Sequence, residues 1–179
     1  MRHASVALGL MCLFVAKLAG QGTAKPGPEH RKLEVFAGNW TYVGEQKASP
    51  FGPAGKVTGT DRNALLGGFF LVRQYKQRGA GGDLSGIEIL GYDPAKKTYT
   101  DSGFDSSGLA FSGTWTVNGD TWNFVGGGMA GGKEFRQRCA LTFGAGSTTA
   151  FTVKCDASPD GSAWTPTFEG NWKKVGRTS

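Results

Sequence analysis

Residues 133–156 read KEFRQRCALTFGAGSTTAFTVKCD, two strand-like segments around a turn of small residues. When this stretch is folded about Ser147, apolar residues stand opposite one another in three pairs: Phe143 with Phe151, Leu141 with Val153, and Cys139 with Cys155. Because side chains alternate along a strand, all six fall on one face. Polar residues take the other face, namely Glu134, Arg136, Arg138, Thr142, Thr152 and Lys154. The stretch therefore predicts an antiparallel hairpin with one buried face and one solvated face.

The pairing of Cys139 with Cys155 predicts a disulfide bond, because directly opposed residues of a hairpin bring their Cβ atoms within bonding reach. The third cysteine, Cys12, lies in an N-terminal apolar run that we expect to be removed. The mature chain then has an even cysteine count and one histidine, His30, which favours a disulfide over a zinc tetrahedron. We expect no metal and no other cofactor.

The first 24 residues have the pattern of a secretory signal peptide. A basic start precedes an apolar run over 4–16, and small residues follow it. The run is too short to span a bilayer, so we expect no membrane span. We therefore predict a signal peptide over 1–24, cut between Gly20 and Ala24, and then a single domain over 25–179. The protein is expected to be periplasmic or secreted.

The charge pattern argues against nucleic acid as a partner. The chain has 20 Lys and Arg against 14 Asp and Glu, a formal net charge of +6. Its basic residues are scattered singly, whereas a nucleic-acid groove combines a basic stripe with stacking aromatic residues. A mildly basic surface in an exported protein is typical of solubility rather than of a specific partner.

One helix and about ten strands are expected in the domain. Pro28 and Glu29 suit the first turn of a helix from about Pro28 to Ala37, with Leu33 and Phe36 on one face. Beyond the helix, Gly, Asp, Asn and Pro recur between aromatic and β-branched runs, the pattern of an all-β protein. The predicted strands span about 39–47, 56–65, 69–77, 85–92, 97–105, 109–117, 121–126, 133–143, 149–156 and 166–175.

Successive hairpins with one apolar face can close into a barrel, which removes the exposed edges of the sheet. Gly38-Asn39-Trp40 resembles the Gly-x-Trp opening of lipocalins, in which a short helix leads into the first strand and the Trp plugs the barrel floor. Further phrases resemble a bacterial family labelled domain of unknown function 1579: Pro28-Glu29-His30-Arg31-Lys32-Leu33, Gly67-Gly68-Phe69-Phe70-Leu71, Leu90-Gly91-Tyr92-Asp93 and Lys97-Thr98-Tyr99. The resemblance covers nearly the whole mature chain. It implies a single lipocalin-like, antiparallel up-and-down β-barrel and no established biochemical activity.

The last predicted strand repeats the opening phrase as Gly170-Asn171-Trp172. Either the repeat is a coincidence of two similar strand starts, or the first and last strands are neighbours and complete the barrel. In lipocalins a late basic residue stacks on the opening Trp. The resemblance therefore implies that Lys173 or Lys174 stacks on Trp40 through a cation–π contact.

Residues 127–133, GGMAGGK, satisfy most of the phosphate-loop pattern. Such a loop binds phosphate at the N-terminus of a helix, and its Lys is followed by Ser or Thr. Here Glu134 follows Lys133, and a predicted strand comes next. The segment is therefore predicted to be a hairpin loop and not a phosphate site.

Five polar residues fall on strand faces that otherwise point inward: Arg73, Tyr75, Tyr99, Asp101 and Gln137. A buried charge without a partner is costly, so an inward Arg73 and Asp101 would pair with each other or meet a polar group of a ligand. The preferred interpretation is that a bulge turns these residues towards water, or that they form a structural network.

Twelve Phe and five Trp predict a large apolar interior, whereas histidine and cysteine chemistry is nearly absent. We therefore expect the barrel to bind one small apolar or amphipathic molecule, and we assign no catalytic residue. The residues expected to bind the molecule are Trp40, Arg73, Tyr75, Tyr99, Asp101, Phe111, Trp115 and Gln137, with Phe143 in the same lining. Two alternatives are an enzyme that uses the cavity with Asp101 or His30 as acid or base, and a structural envelope module whose barrel is filled by its own side chains.

Overall fold

The computed structural model describes residues 25–49 and 52–176. The predicted signal peptide lies outside the described residues. A short helix, α1 (Pro28–Arg31), continues into a 3-10 helix (Lys32–Phe36). Ten strands follow: β1 (Gly38–Gln46), β2 (Gly55–Leu66), β3 (Phe70–Gly79), β4 (Gly82–Asp93), β5 (Thr98–Asp105), β6 (Ala110–Asn118), β7 (Thr121–Ala130), β8 (Lys133–Phe143), β9 (Ala150–Ser158) and β10 (Thr165–Lys174).

The strands form a closed barrel in which each pairs antiparallel with its neighbours in sequence, and β1 pairs with β10. In that closing pair, Trp40 lies opposite Lys174 and Tyr42 lies opposite Trp172. The prediction of an all-β, antiparallel up-and-down barrel with one short N-terminal helix is confirmed, and the two Gly-Asn-Trp phrases lie on neighbouring strands. In the part of the chain that the structure describes, no helix has the length and apolar character needed to cross a membrane.

The β8–β9 hairpin has the register that its sequence predicts. Phe143 pairs with Phe151, Leu141 with Val153, and Cys139 with Cys155. The two cysteines are 4.1 Å apart at Cα and are joined by a disulfide bond. The bond closes a loop with a sequence separation of 16 residues inside one hairpin, so it fixes the register of β8 against β9.

We expect removal of the disulfide to destabilise the barrel. In the Cys139→Ala, Cys155→Ala variant the unfolded chain is no longer cross-linked, and the chain-entropy estimate for a loop of this length is about 3 kcal/mol. Urea denaturation of the oxidised protein and of the variant measures the difference. Reductant should lower the melting temperature of the wild-type protein and leave that of the variant unchanged; a wild-type melting temperature that does not respond to reductant would contradict the bond.

The helical segment closes one end of the barrel, which we call the floor. Leu33 and Phe36 are buried there, and the indole Nε1 of Trp40 donates a hydrogen bond of 2.8 Å to the Phe36 carbonyl. The ammonium of Lys174 lies 5.2 Å from the centre of the Trp40 ring and donates to the Val35 carbonyl over 3.2 Å. This confirms the predicted cation–π contact and assigns it to Lys174. The last strand is thereby tied to the floor.

Strand β7 is longer than the sequence predicts, because it runs through Gly126, Gly127 and Gly128 to Ala130. A Cβ at Gly128 would meet the backbone of β6, so glycine permits the close approach of the two strands. The turn itself is Gly131-Gly132, with φ of 56° and 76°, a backbone that suits a two-residue hairpin. The glycine-rich segment is therefore a strand and a turn, as expected of a hairpin and unlike a phosphate loop.

Candidate functional site

Above the floor, the barrel contains a partly open cavity of about 270 Å³. Its wall is mostly apolar and includes Leu71, Leu90, Phe111, Trp115, Phe124 and Phe168. An apolar protein cavity of about 150 Å³ can hold benzene, and pockets for drug-sized ligands are about 300–1,000 Å³. The cavity therefore has room for a molecule of about one substituted ring.

The structure brings six of the eight predicted ligand-binding residues to the cavity wall: Arg73, Tyr75, Asp101, Phe111, Trp115 and Gln137. The other two lie in the floor. Trp40 is covered by Lys174 and Phe151, and the Tyr99 hydroxyl lies 2.9 Å from Glu29 Oε2 on the helix. Phe143 also belongs to the floor, where it packs on Phe36. Floor and cavity are thus successive layers of one inward face.

All five polar residues that the sequence leaves ambiguous point inward, so the alternative that a bulge turns them towards water does not hold, and the alternative of a structural network remains. Arg73 takes part in a structural network, although not with Asp101. Its Nη1 donates to both carboxylate oxygens of Glu88 at 2.8 Å, and its Nη2 donates to Asp61 Oδ1 at 3.1 Å. The indole of Trp172 donates to Asp61 Oδ2 over 2.8 Å. One guanidinium is therefore held between two carboxylates.

The two carboxylate partners keep the Arg73 guanidinium protonated. Burial alone would lower the pKa of Arg73, but Asp61 and Glu88 outweigh that effect and raise the pKa well above its ordinary value. The guanidinium carbon also lies 4.9 Å from the centre of the Tyr75 ring. Arg73 is thus a permanently charged group whose partners are already in place.

Sequence reasoning missed Asp61 and Glu88. Strand β4 inverts the usual pattern, because Ile87 and Ile89 are 38% and 45% exposed while Glu88 faces the cavity. The useful signal is the register of β3 against β4, which places Glu88 directly opposite Arg73. A search for cross-strand partners of the inward arginine would have found it.

Asp101, on β5, is the least satisfied charged group in the cavity wall. It is 3% exposed, and Trp115 Nε1 donates to its Oδ2 over 2.9 Å. Its Oδ1 has no hydrogen-bond partner among the described residues. Burial, reinforced by the Glu88 carboxylate, raises the pKa of Asp101 to about 8, although Trp115 and Arg73 oppose the shift. Asp101 is therefore mostly protonated at neutral pH and ionises only slightly above it.

A second buried acceptor lines the same cavity. Asn63 Nδ2 donates to the Phe36 carbonyl over 3.0 Å, which fixes the orientation of the amide. The remaining oxygen, Asn63 Oδ1, has no partner within residues 25–49 and 52–176. Buried acceptors are normally paired, so two residues of the cavity wall each carry an oxygen that a further donor could satisfy.

His30 lies apart from the cavity. Its Nδ1 accepts a hydrogen bond of 3.1 Å from the Gly27 amide, at the start of α1. The imidazole packs edge-on against Phe69 and Tyr92, at centroid distances of 5.0 Å and 5.6 Å. Within the described ranges, no three His, Cys, Asp or Glu side chains are grouped so as to hold a metal ion.

Comparison with solved structures shows the fold in other proteins. Rv2717c from M. tuberculosis superposes with a TM-score of 0.64 at 16% identity, over 85% of this chain and 100% of that one. The S-type phycobiliprotein lyase CPES from Guillardia theta gives 0.53 at 8% identity, over 84% and 94%. A search of curated protein sequences gave no significant match.

A family model matches nearly all of the described barrel, from residue 25 to residue 174. The span includes the helical floor, all ten strands and every residue of the cavity wall. The chain belongs to DUF1579, described as a protein family of unknown function.

Proposed function

We propose that this protein binds one small, largely apolar molecule inside its barrel. The observation that carries the proposal is the cavity of about 270 Å³ inside the barrel, which is lined by aromatic side chains and a few polar groups. That combination is typical of small-molecule sites, in which apolar surface supplies affinity and a few polar groups fix orientation. A barrel filled by its own side chains would leave no such space, so the cavity favours binding over the structural alternative.

Six predicted residues supply the contacts. Phe111, Trp115 and Tyr75 offer ring surface to the ligand, and Asp101, Gln137 and Arg73 offer polar edges. Trp40 and Tyr99 have no part in the proposed contacts, because they hold the floor in place beneath the cavity.

Filling the cavity should abolish binding. Val153 lies in the cavity wall, and the Val153→Phe substitution adds a ring to the space that a ligand would occupy. Saturation-transfer NMR with ethylbenzene should detect binding to the wild-type protein and at least a tenfold weaker interaction with this variant. Val125→Phe is the matched control, because Val125 lies on the outer face of the barrel and is 61% exposed.

Two outcomes would overturn the proposal. One is the absence of ethylbenzene binding together with the absence of a bound mass in native mass spectrometry of protein purified without added ligand. The other is equal binding by the wild-type protein and the Val153→Phe variant, which would locate the interaction outside the barrel.

A second candidate function is acid catalysis in the same cavity, and the observation that favours it is Asp101. A carboxyl group whose pKa is raised to about 8 can donate a proton near neutral pH. His30 is not part of this candidate, because it packs outside the cavity. If a molecule recovered from the native protein is converted on incubation, Asp101→Asn should stop the conversion and retain binding; unchanged conversion would exclude this role.

We also propose that the protein works outside the cytoplasm. The support is the basic and apolar pattern of residues 1–24 and the disulfide bond, since disulfides persist in oxidising compartments. The intact mass of protein from its native host should correspond to a start between Gly20 and Lys25; a mass that includes the first 20 residues would contradict export.

A further inference from the structure

We propose that the ligand is a compact amine: a body of about one ring that carries a protonated amino group directed at Asp101. This inference rests on the proposed binding function and specifies its ligand. It is carried by the charges of the cavity wall, by two buried oxygens without hydrogen-bond partners, and by the aromatic rings beside them.

The wall carries more negative than positive groups. Among the described lining residues, the carboxyl groups are those of Asp61, Glu88 and Asp101, and the single cation is Arg73. Asp61 and Glu88 already hold the guanidinium at 2.8–3.1 Å. An anionic ligand would find no free cation there and would face the carboxylates of Asp61 and Glu88, so like-charge repulsion and desolvation both disfavour it.

The unpaired acceptors call for donors. Asp101 and Asn63 belong to the cavity wall, and the buried Oδ1 atom of each has no hydrogen-bond partner among the described residues. Once Asp101 is ionised, each of these acceptors lacks a donor at a cost in free energy, which a ligand N–H group would recover. An ammonium group has three donors and no acceptor, and it therefore matches a site of unsatisfied oxygens. A neutral alcohol has one donor and would satisfy only one of the two oxygens.

Aromatic rings complete the match. Trp115 and Phe111 border the same space as Asp101, and an ammonium group near an aromatic face gains cation–π attraction. The ring of the ligand can pack on the remaining apolar wall. The cavity volume limits that body to about one substituted ring, by comparison with the benzene-sized cavity of about 150 Å³.

Pairing with an ammonium group requires Asp101 to ionise, which makes binding dependent on pH. The groups that face Asp101 are Glu88 from β4, Arg73 from β3 and the Trp115 indole from β6, with Asp61 and Tyr75 beyond Arg73. Because the pKa of Asp101 is about 8, the ionised fraction rises with pH up to that value. Amine affinity should therefore rise about tenfold per pH unit between pH 6 and 8 and then level off.

A matched set of four probes tests the proposal: 2-phenylethylamine, 2-phenylethanol, ethylbenzene and 3-phenylpropionate. The four share one ring and differ in the polar end. At pH 8, calorimetric or NMR titration should show the amine binding at least tenfold more tightly than ethylbenzene, the alcohol between them, and the carboxylate most weakly. Only the amine should lose affinity steeply towards pH 6.

The variant Asp101→Asn tests how much the negative charge of Asp101 contributes to amine binding. It keeps an acceptor for Trp115 and removes the carboxylate, so the preference for the amine over ethylbenzene should fall at least tenfold and the pH dependence should vanish. Asp120→Asn, which alters an exposed turn residue, should retain both.

The outcomes separate the two proposals. If ethylbenzene binds in the barrel but the amine binds no more tightly, or if 3-phenylpropionate binds best, the amine inference is overturned and the binding function stands. If none of the four binds and the native protein carries no bound mass, the binding function itself fails.

Discussion

Replacement of Arg73 by methionine is expected to destabilise the protein by about 3–5 kcal/mol at pH 7, because removal of one partner leaves buried charge uncompensated. Arg73 lies between Asp61 and Glu88, whose carboxylates would then face each other without a cation. Urea denaturation measures the loss.

Arg78→Met is the matched control on the same strand. Arg78 pairs with Asp83 at the surface, where the two side chains are 79% and 67% exposed. Exposed pairs contribute about 0–1 kcal/mol, so this variant should be nearly as stable as the wild-type protein. Adding Asp61→Asn and Glu88→Gln to Arg73→Met should restore part of the loss. Equal, small losses for both arginines would show that the Arg73 network is not buried as described.

The change in the free energy of unfolding should have the opposite sign for Asp101→Asn. This variant should stabilise the barrel near neutral pH. Burial raises the pKa of Asp101 from 3.8 to about 8. Well below pH 3.8 the carboxyl is protonated in the folded and unfolded chains, so folding carries no ionisation cost. As pH rises to 8, the unfolded chain ionises first, and the folded state loses about 1.4 kcal/mol of relative stability per pH unit. At pH 7 this cost is about 4 kcal/mol.

Asparagine avoids that cost but leaves a buried amide group unpaired, which costs about 1–3 kcal/mol. We therefore expect a net gain of about 2 kcal/mol at pH 7 and a net loss of about 1–2 kcal/mol at pH 4, where almost no ionisation cost is avoided. Urea denaturation of the wild-type protein, Asp101→Asn and the exposed control Asp120→Asn at both pH values measures it. A variant less stable than the wild-type protein at pH 7, by the same amount as at pH 4, would mean that Asp101 is ionised and satisfied in the fold.

A residue that lowers stability yet lies in a cavity wall is typical of a functional site, because function and stability make different demands on the same group. Arg73 and Asp101 illustrate the contrast. Arg73 has two carboxylate partners within the fold, whereas one oxygen of Asp101 has none among the described residues. The first group serves the structure, and the second is the group that we propose a ligand meets.

Most of the fold can be predicted from local patterns in the sequence. Period-2 alternation over 133–156 determines the register of one hairpin, and the disulfide at Cys139 and Cys155 follows from that register. Turn residues at short intervals mark the other strands, so all ten were predicted. The exception is the end of β7, where three glycines carry no side-chain pattern and their role as a close contact with β6 depends on tertiary structure.

The site is less predictable because it depends on contacts between strands. The sequence places Arg73 and Asp101 on inward faces but suggests that they pair with each other. Their actual partners, Glu88 and Trp115, emerge only when the registers of β3 with β4 and of β5 with β6 are known. Glu88 is also hard to recognise in the sequence as an inward residue, because the residues that flank it are exposed isoleucines. Alternation predicts which residues share a face, and it does not predict which of them meet.

The indole region of a ¹H–¹⁵N spectrum tests the central claim most directly. Trp115 and Trp172 donate their indole N–H groups to carboxylates in the cavity wall, whereas Trp164 stacks on Arg138 outside. Titration with 2-phenylethylamine at pH 8 should shift the indole signals of Trp115 and Trp172 and leave that of Trp164 in place. Shifts confined to Trp164, or no shift at any of the three, would contradict a binding site inside the barrel.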